Sequence, residues 1–556
     1  MSKSTRERPT AFVSEIEFSG GQKLFFEPTD KVLIVGPNNG GKSQSLRDIK
    51  SIASATKVDG GLAITSLKIT KNGSAEDLTK FLDTYGRRDG EIVHYLDWKV
   101  HQNLVPGWWN SAHLAGHLLD GYVRLISATD RLKICEEQKS TRPDEPKTKP
   151  QQVLYDDDEL LAKVSQAFLR AFGKNLLIDY RGGPVIPIHV GDRPPEGIAD
   201  RASSAYVREL QKNPSLFSQG DGMKSFAGIL FETLVNPRDV MLLDEPEAFL
   251  HPPQMRRLAE TLAREVSGQL FVATHSSDVL RGFLEGTKGD LKIIRITRDG
   301  DRNAVSLVAP ESAIEIWSRP ELRYSSAFDG VFHEQAIICE DDSDCRLYNA
   351  MADHIEERSA VSFKDTCYIP AGGKHAVKKI AASLRAVGVP VKAVFDLDLL
   401  SDSALTLETF GVFGGDPEEI LPALRRLDMA IRNGVKPKTV DEIKVSIVEI
   451  LDSAPAGTIP RSIIVDELKQ TSPWNVVKRH GVAAIPNGAA QKDFEAIDTL
   501  LRRFGIFLVP VGEAERFCRK IDAHGPKFVN NLLSSVSLDD ESLGDLRKFV
   551  GEVQQG

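Results

Sequence analysis

The sequence predicts an α/β protein built from two successive units, each organised around a parallel sheet. The short apolar run KVLIV (31–35) leads directly into a glycine-rich loop and a helix-like segment. Further apolar strands lie within DVMLLDEP, QLFVATHS and DLKIIRIT, and a second series of apolar strands begins at EQAIICE (334–340). Continuous apolar runs of this length are typical of strands that are buried on both faces of a parallel sheet.

Length and composition set the limits within which this fold must lie. A chain of 556 residues is too long for one ordinary core, so two or three domains are expected. Its five cysteines form no CxxC pair, which favours a reducing cytoplasm over a disulfide framework. The N-terminus lacks an apolar signal segment and no long apolar run occurs, so we expect no membrane partner. The net charge of -9 argues against a surface that is basic overall and binds nucleic acid nonspecifically. A local basic groove would still allow nucleic-acid binding.

Several segments between the strands have a recognisable pattern. AFVSEIEF, Gly20–Gly21 and KLFFEP predict an opening β-hairpin. The polar, proline- and lysine-rich segment 136–158 predicts a mobile loop. Helical periodicity prevails from 159 to 235, interrupted by the strand candidate VIPIHV (185–190), and the pattern weakens at 310–330, where we expect the domain boundary.

The first site candidate is the loop Gly36–Ser43, which fits the pattern G-x4-G-K-S between a strand and a helix. Glycines let backbone N–H groups curl around phosphates, so the loop predicts an ATP site. Lys42 is expected to neutralise the β- and γ-phosphate oxygens, and Ser43 to ligate Mg²⁺. The other cofactor-binding candidates of the loop are Gly36, Asn38, Asn39, Gly40 and Gly41.

A second acidic element and a histidine are expected to complete this site. The strand in VMLLDEPEAFLHP (240–252) ends at Asp244, which is expected to bind the metal shell, often through water. Glu245 stands next to it, in position to polarise the attacking water. His275 follows the apolar strand in FVATHSS and is expected to contact the γ-phosphate, although a lone histidine in such a place is usually structural.

GPNNGGKS, LLDEPEAFLHP and ATHSS resemble the ABC-type ATPases of the SMC/Rad50 and OLD (overcoming lysogenisation defect) group. In that group a signature loop precedes the acidic strand and completes the site of the opposite subunit. The resemblance assigns SQGDGMKSF (218–226) to this loop, with Ser218, Gly220 and Gly222 as nucleotide-binding residues. It therefore implies a homodimer, or a higher even oligomer, joined through the ATPase heads. A flexible glycine loop before a helix is the structural alternative.

Acidic residues also follow two strands of the second unit. Glu340 ends the strand in EQAIICE, and Asp344 follows at the start of a helix. Asp396 and Asp398 end the strand in VKAVFDLD, and in an extended segment residues i and i+2 project to one face. Hard oxygen donors at the ends of adjacent parallel strands suit Mg²⁺ or Mn²⁺, which polarise a phosphodiester and its attacking water.

This order of acids resembles the Toprim domain of topoisomerases, primases and OLD nucleases, with Asp341 where that family usually has glycine. Asp342 is a further acidic candidate. GIFLVPVGEAERF (505–517) resembles a later segment of the same domain, so the resemblance adds Glu513 as a metal ligand, with Glu515 as an alternative acid. Lys527 in HGPKFV is the candidate that stabilises charge developing on the phosphate. Three lysines of AGGKHAVKKI form either a DNA-backbone contact or a solvated helix face: Lys374, Lys378 and Lys379.

The resemblance spans nearly the whole chain and sets the fold class: α/β, an ABC-type P-loop ATPase head with a helical insertion, followed by a Toprim α/β domain. It implies an ATPase domain over 1–320, with a helical dimerisation insertion at about 155–217, and a Toprim nuclease domain over 330–556. We predict an ATP-dependent, metal-dependent endonuclease in antiphage defence, acting on DNA or, as the alternative, on RNA, either alone or with a partner protein of a defence system.

Two other functions stay open at this stage. One is a sensor ATPase of a defence complex whose Toprim domain binds a partner or cleaves RNA. The other is a Rad50-like repair ATPase, against which the absence of a heptad array counts.

Overall fold

The computed structural model describes residues 8–54, 60–142, 145–195, 200–300, 302–308, 326–455, 457, 459–521 and 523–556. The chain divides into two compact units, Met1–Tyr324 and Ser325–Gly556. Most of the segment 310–330, where the sequence predicts the boundary, lies outside the described residues. Among the described helices, none combines the length and apolarity needed to cross a bilayer.

The first unit contains sixteen described strands and eleven described α-helices. The strands are β1 (Thr10–Phe18), β2 (Lys23–Phe25), β3 (Lys31–Val35), β4 (Ile64–Asn72), β5 (Arg87–Asp89), β6 (Ile92–Tyr95), β7 (Trp98–His101), β8 (Val123–Ile126), β9 (Gln138–Lys139), β10 (Asn175–Ile178), β11 (Val185–Ile186), β12 (Ile188–Gly191), β13 (Val240–Asp244), β14 (Gln269–Ala273), β15 (Lys292–Asp299) and β16 (Arg302–Leu307). The helices are α1 (Lys42–Ala53), α2 (Ala75–Tyr85), α3 (Val105–Trp109), α4 (Leu118–Tyr122), α5 (Ala128–Lys133), α6 (Pro150–Asp156), α7 (Asp158–Phe172), α8 (Ser204–Leu210), α9 (Asp221–Leu230), α10 (Pro252–Glu265) and α11 (Ser277–Thr287). A π-helical turn, Phe231–Val235, follows α9.

A six-stranded sheet in the order β16-β15-β3-β14-β13-β8 forms the centre of this unit. Its strands run parallel except for β16, which is antiparallel to β15. The central strands β3 and β14 are buried along their whole length, as their apolar sequences predict. Because all of these parallel strands point the same way, the loops after β3, β13 and β14 meet at one edge of the sheet.

One prediction about the connecting segments is wrong. Residues 136–158 are not one mobile loop, because they contain β9 and α6. Pro150 opens α6, and the Gln152 side chain accepts hydrogen bonds from the Thr148 and Lys149 N–H groups and donates one to the Lys139 carbonyl, so the polar residues order the segment. The predicted insertion contains the helices α7 and α8, and the strand candidate VIPIHV is confirmed as β11 and β12. The strand β10, which pairs antiparallel with β12, was not predicted.

The second unit contains four described strands and ten described α-helices. The strands are β17 (Gln335–Cys339), β18 (Thr366–Pro370), β19 (Val391–Phe395) and β20 (Ile506–Leu508). The helices are α12 (Asp342–Arg358), α13 (Lys374–Ala386), α14 (Ser403–Val412), α15 (Pro417–Gly434), α16 (Val440–Asp452), α17 (Arg461–Lys469), α18 (Pro473–His480), α19 (Ala489–Arg503), α20 (Pro526–Ser535) and α21 (Gly544–Gln555).

Its sheet has the order β18-β17-β19-β20, and every neighbouring pair is parallel. The strand before the Asp-x-Asp pair ends at Phe395, and residues Leu397–Ser401 form a 3-10 turn. Asp396, the residue before the turn, keeps the extended backbone that the sequence predicts, whereas Asp398 lies within the turn and does not. The turn forms because backbone groups beyond the last sheet pairing bond locally, as in the hydrogen bond from Leu399 N–H to the Asp396 carbonyl.

A helical segment from α14 to α19 separates β19 from β20. Helix α15 of this segment is amphipathic, and its buried face repeats with helical spacing at Ile420, Leu424, Leu427 and Ile431. It packs against α19, and Arg426 forms an ion pair with Asp493 at 2.6 Å. The segment thus has its own apolar contacts and presents α18 to the edge of the sheet.

A half-buried lysine provides a test of the first unit's packing. The Lys71 ammonium, at the end of β4, donates hydrogen bonds to four carbonyls of residues 108–113 at 2.7 to 3.4 Å. We predict that Lys71→Met lowers the free energy of unfolding by about 2–4 kcal/mol, because part-buried carbonyls lose their donor. Urea unfolding followed by tryptophan fluorescence measures this. Lys68→Met, at an exposed position of the same strand, is the control, and an equal effect of both variants would contradict the prediction.

Candidate functional site

The glycine-rich loop between β3 and α1 has the backbone of a phosphate cradle. Gly36 has φ +139°, and a Cβ there would stand 2.1 Å from the Ile296 carbonyl oxygen of β15, so the position requires glycine. Gly41 is the N-cap of α1, which begins at Lys42, so the helix N-terminus points into the loop. This geometry suits the binding of a polyphosphate.

Lys42 lies across this loop. Its ammonium donates hydrogen bonds to the carbonyls of Gly36 at 2.8 Å and Pro37 at 2.9 Å. Burial lowers the pKa of Lys42, while the carboxylates Glu247, Glu245 and Asp244 oppose that shift. The ammonium is thus directed at the space inside the loop, where phosphate oxygens would replace the carbonyls as acceptors.

Asp244 and Glu245 stand at the end of β13, across from the loop. Glu245 has φ +46°, an uncommon backbone conformation that marks a sharp turn directly after the strand. Burial raises the pKa of Asp244, a shift that the Ser43 hydroxyl opposes through a hydrogen bond. The buried Oδ1 atom of Asp244 has no hydrogen-bond partner among the described residues. A hydroxyl and an unsatisfied carboxylate oxygen side by side fit the coordination of Mg²⁺.

Arg131 supports this turn and was missed by the sequence reasoning. Its side chain is fully buried, and its guanidinium donates to the Asp244 carbonyl at 3.2 Å and the Glu245 carbonyl at 2.8 Å. The residue lies in α5, more than a hundred positions before the turn that it holds. An arginine inside an otherwise ordinary helix start carries no sequence signal for such a contact.

Glu247 is a second residue that the sequence reasoning missed, and it fixes His275. The carboxylate is 5% exposed and accepts hydrogen bonds from the Thr274 hydroxyl at 2.9 Å and the His275 N–H at 2.8 Å. The His275 ring nitrogen Nδ1 lies 3.0 Å from the same carboxylate, which leaves Nε2 directed away from it. Burial raises the pKa of Glu247, and the bond from the His275 backbone opposes this. The sequence signal that could have identified Glu247 is its position two residues after Glu245 in the acidic segment DEPE.

The proposed signature residues lie at the start of α9. Gly220 is the N-cap of the helix and has open space where a side chain would be. Ser218 is exposed, and its hydroxyl donates to the Ser215 carbonyl at 2.8 Å. A Cβ on Gly222 would stand 2.7 Å from the Phe249 carbonyl oxygen, so the loop after the acidic turn packs closely against α9. Exposed N–H groups at this helix start are able to meet an external anion.

In the second unit, three of the predicted carboxylates form one cluster. Glu340 follows β17, whereas Asp396 and Asp398 follow the neighbouring parallel strand β19. One carboxylate oxygen from each residue lies within 4.8 Å of the others. The Asp396 N–H donates to Glu340 Oε1 at 3.2 Å, which ties the ends of the two strands together. Burial raises the pKa of Glu340, and it raises that of Asp396 strongly.

Two lysines stand against this cluster. Lys478 Nζ lies 2.8 Å from Asp396 Oδ2 and 3.4 Å from Asp398 Oδ2, and Lys374 Nζ lies 3.3 Å from Asp398 Oδ2. Burial alone would lower the pKa of Lys478, but the attraction of Asp396 and Asp398 raises it overall. Lys374 was one of the three lysines that the sequence assigned either to a contact with the DNA backbone or to a solvated helix face. Lys478 was not a candidate, because it lies on α18, some eighty residues after the aspartates.

The remaining candidates lie outside this group of three. Asp344 caps α12 by accepting from the Asp341 N–H at 3.3 Å, and burial raises its pKa to about 7. Glu513 forms an ion pair with Arg516 at 2.9 Å. Glu515 accepts a hydrogen bond from the Gly525 N–H at 2.8 Å and contributes to the raised pKa of Asp344. Lys527 is exposed on α20.

The residues of the cluster fit a divalent ion. Three carboxylates converge, and the buried Oδ1 atom of Asp398 has no hydrogen-bond partner among the described residues. The two lysines contact the other oxygen of Asp398, and a buried carboxylate oxygen without a partner is costly unless a cation or a donor reaches it. Carboxylate oxygens are the donors that Mg²⁺ and Mn²⁺ prefer.

Comparisons with known proteins agree with this organisation. Residues 116–281 match the family described as "AAA domain, putative AbiEii toxin, Type IV TA system", and residues 331–398 match "Overcoming lysogenization defect protein-like, TOPRIM domain". The chain is 23% identical over 175 residues to the Old nuclease of Escherichia phage P2. The matched region covers 30% of this chain and 29% of the phage protein. These matches confirm the predicted fold class of an ATPase head followed by a Toprim domain.

Other similar proteins are more distant or less informative. The uncharacterized protein MJECL11 of Methanocaldococcus jannaschii is 30% identical over 105 residues, which is 17% of this chain and 90% of that protein. The SMC head domain of Thermotoga maritima has a TM-score of 0.28 at 13% identity, covering 54% of this chain and 99% of that one. The Smc head of Pyrococcus furiosus has a TM-score of 0.32 at 14% identity, covering 55% and 98%.

Glu247 offers a test of the ATPase site. We predict that Glu247→Gln lowers the rate of ATP hydrolysis by about 10²-fold with little loss of ATP affinity, because a neutral amide no longer fixes the His275 ring. Steady-state phosphate release and binding of a fluorescent ATP analogue measure the two effects. Glu265→Gln, at an exposed surface position, is the control. Unchanged turnover in Glu247→Gln would show that its carboxylate has no part in hydrolysis.

The pKa of Asp344 predicts a pH dependence of stability. Burial raises it from 3.8 to about 7, so the folded chain holds this proton more tightly than the unfolded chain. The stabilisation is complete below the unfolded pKa and is lost as pH rises through the folded pKa. In EDTA, Asp344→Asn should therefore gain stability over the wild type between pH 5 and pH 8, on the order of 2 kcal/mol after allowance for partial exposure. Urea unfolding at both pH values measures this, and a pH-independent difference would refute it.

Proposed function

Because this chain belongs to the OLD-like family that joins an ATPase head to a Toprim domain, we propose that it is an ATP-dependent nuclease that cleaves nucleic-acid phosphodiesters with Mg²⁺ or Mn²⁺. The observation that carries the proposal is the convergence of Glu340, Asp396 and Asp398 within 4.8 Å at the ends of two adjacent parallel strands. The similarity to the phage Old nuclease supports it, although the match covers 29% of that protein.

Glu340, Asp396 and Asp398 would hold the divalent ion in the Toprim domain. When bound, the ion lowers the pKa of water and offsets charge on the scissile phosphate. The chain's own residues orient the ligands: the Asp396 N–H fixes Glu340, and Lys374 and Lys478 hold the aspartate carboxylates. Asp344 and Glu513 remain proposed outer members of the site.

Lys527 remains the proposed residue for stabilising charge on the phosphate. It is exposed on α20 and stands near its N-terminus, so the side chain is free to meet a polyanion. This role requires the substrate to reach α20 while it occupies the metal cluster.

In the ATPase head, we assign Gly36, Asn38, Asn39, Gly40 and Gly41 to the phosphate cradle. Lys42 would neutralise the β- and γ-phosphates in place of its present carbonyl acceptors. Ser43 and Asp244 would hold Mg²⁺.

Hydrolysis in the head requires a positioned water molecule. Glu245 would polarise this water, since the turn after β13 directs its side chain beyond the end of the strand. His275 would contact the γ-phosphate through the ring that Glu247 orients. Arg131 keeps the acidic turn in place through its two carbonyl contacts.

We further propose that two heads enclose ATP, so that the protein acts as a homodimer or a higher even oligomer. Ser218 and Gly220 are exposed at the start of α9, as a loop that completes the site of another subunit must be. ATP binding and hydrolysis would thereby control the assembly and, through it, cleavage. DNA is the first substrate to test and RNA the second, and family membership favours a role in antiphage defence, either alone or with a partner protein.

The proposal is tested by incubating the full chain with supercoiled plasmid, and separately with a transfer-RNA pool, in Mg²⁺ or Mn²⁺, with and without ATP. We expect metal-dependent nicking or cutting of at least one polymer. The Asp396→Asn, Asp398→Asn double variant should lose it by about 10³-fold or more, because neutral amides bind divalent ions weakly. The control variant Asp441→Asn changes an exposed aspartate of the same unit.

The ATPase rate of the same preparations separates the possible outcomes. If both polymers stay intact while ATP is hydrolysed, nuclease activity of the isolated chain is refuted and a sensor ATPase becomes the better interpretation. If the double variant cuts as well as the wild type, the acidic cluster is not the nuclease site. Comparison of the reactions with and without ATP shows whether ATP activates or inhibits cleavage.

A further inference from the structure

The second unit has a basic cavity at the edge of its sheet opposite the acidic cluster. The cavity has a volume of about 460 Å³, and Gln335, Val391 and Gly505, at the starts of β17, β19 and β20, are among its lining residues. Because the strands are parallel, their starts lie at one edge and the acidic cluster at the other. Its basic residues come from four separate segments of the chain: Lys364, Arg385, Lys392 and Arg503.

The described lining residues of this cavity include no aspartate or glutamate. Three acids stand nearby in the sequence, and each has another partner. Glu334 accepts a hydrogen bond from the Asp365 N–H at 2.9 Å, and Asp365 Oδ1 lies 2.9 Å from His333 Nδ1. Glu552 forms an ion pair with Arg502 at 2.7 Å. The side chains that line the cavity therefore carry positive charge only.

Lys392 is the least exposed of the four basic residues. Its ammonium donates hydrogen bonds to the Val553 carbonyl at 2.8 Å and the Gln554 carbonyl at 2.9 Å, at the end of α21. Burial, and after it the like charge of Lys364, lowers the pKa of Lys392 to about 8. An anion in the cavity would relieve this repulsion between the two ammonium groups. A carboxylate at Gly556, which also lines the cavity, would offset only one of the four positive charges.

The other three basic side chains are exposed and form no ion pair among the described residues: Lys364, Arg385 and Arg503. Arg385 donates to the Phe413 carbonyl at 3.1 Å, and its guanidinium lies over the Phe413 ring. The Arg503 guanidinium lies over the Phe504 ring at 5.8 Å, and Phe504 itself lines the cavity. Contact with an aromatic ring orients a guanidinium and leaves its charge and donors available to an anion.

Size and charge indicate which anion suits the cavity. A volume of about 460 Å³ is within the roughly 300–1,000 Å³ of small-ligand sites. A cavity that ends against a sheet admits a terminal group more easily than a continuous strand. A phosphate monoester carries about two negative charges at pH 7, whereas each phosphodiester within a strand carries one. Phe363 and Phe504 add the aromatic surface on which a nucleotide base stacks.

We propose that this cavity binds the terminal phosphate of a nucleotide, which is either a free nucleoside monophosphate or the 5′ end of a nucleic-acid strand. The inference goes beyond the proposed nuclease function and does not depend on it, because the cavity lies at the other edge of the sheet. Arg385 and Arg503 would contact phosphate oxygens through paired donors. Lys364 and Lys392 would supply compact charges.

The test measures binding by fluorescence anisotropy with the full chain in EDTA, where neither strand cleavage nor ATP hydrolysis takes place. One probe is AMP with a fluorescent ribose label. The other is a short DNA strand, labelled at its 3′ end, that carries either a 5′-phosphate or a 5′-hydroxyl. All proteins carry Lys42→Ala, which weakens nucleotide binding by the ATPase head.

The test variant is Lys364→Glu, Arg503→Glu. Its matched control, Arg425→Glu, Lys436→Glu, makes the same charge changes at exposed positions of the same unit outside the cavity. The corresponding glutamine variants replace both if a glutamate variant does not fold, as judged by circular dichroism.

The two probes distinguish the two sources of the phosphate. For a free nucleotide, we expect AMP binding that weakens by about tenfold or more in the test variant and stays unchanged in the control. For a strand end, we expect tighter binding of the 5′-phosphate strand than of the 5′-hydroxyl strand, with this preference lost only in the test variant. The absence of both AMP binding and a preference for the 5′-phosphate would overturn the inference. An equal loss in both double variants, or no loss in the test variant, would do the same, and each of these outcomes leaves the nuclease proposal standing.

Discussion

Burial of carboxylates at the ends of parallel strands is the constraint on which both sites depend. In each unit, apolar strands run in the same direction, and the residues that follow them are removed from water by the sheet and its helices. Burial raises the pKa of Asp244 after β13 and of Glu340 and Asp396 after β17 and β19. Such groups are stable as anions only beside cations or hydrogen-bond donors. The arrangement of those cations and donors determines what each site can bind.

The two units satisfy this constraint differently. In the head, Arg131 donates to backbone carbonyls below the acidic turn and Lys42 to carbonyls of the loop, so neither forms a direct ion pair with Asp244. Its carboxylate therefore remains available beside Ser43 for a nucleotide-bound ion. In the second unit, Lys478 and Lys374 contact the aspartates themselves. Part of that cluster's charge is balanced by the protein, and the remainder is available to a metal.

The differences between the predicted and the observed structure have local physical causes. Segment 136–158 was predicted to be mobile from its polar composition, yet Gln152 bonds to three backbone groups and orders it. The sequence predicts an extended Asp-x-Asp pair, but only Asp396 is extended, and Asp398 lies in a 3-10 turn that forms once the sheet pairing ends. Its carboxylates still converge, because the turn begins at the strand end and remains at the same edge. Glu513, assigned by resemblance, pairs with Arg516 instead of joining the three-residue group.

The sequence by itself determined the fold class and most of the acidic candidates. Loop spacing, strand apolarity and the order of acids are local patterns, and a parallel sheet brings the ends of its strands to one edge whatever joins them. Only the tertiary structure decided which cations meet those acids. Arg131 and Lys478 reach their partners across roughly a hundred residues of chain, through packing of helices whose own sequences carry no trace of the contact. Long-range ion pairs depend on the positions of two separately folded segments, and those positions are set by the core rather than by either segment.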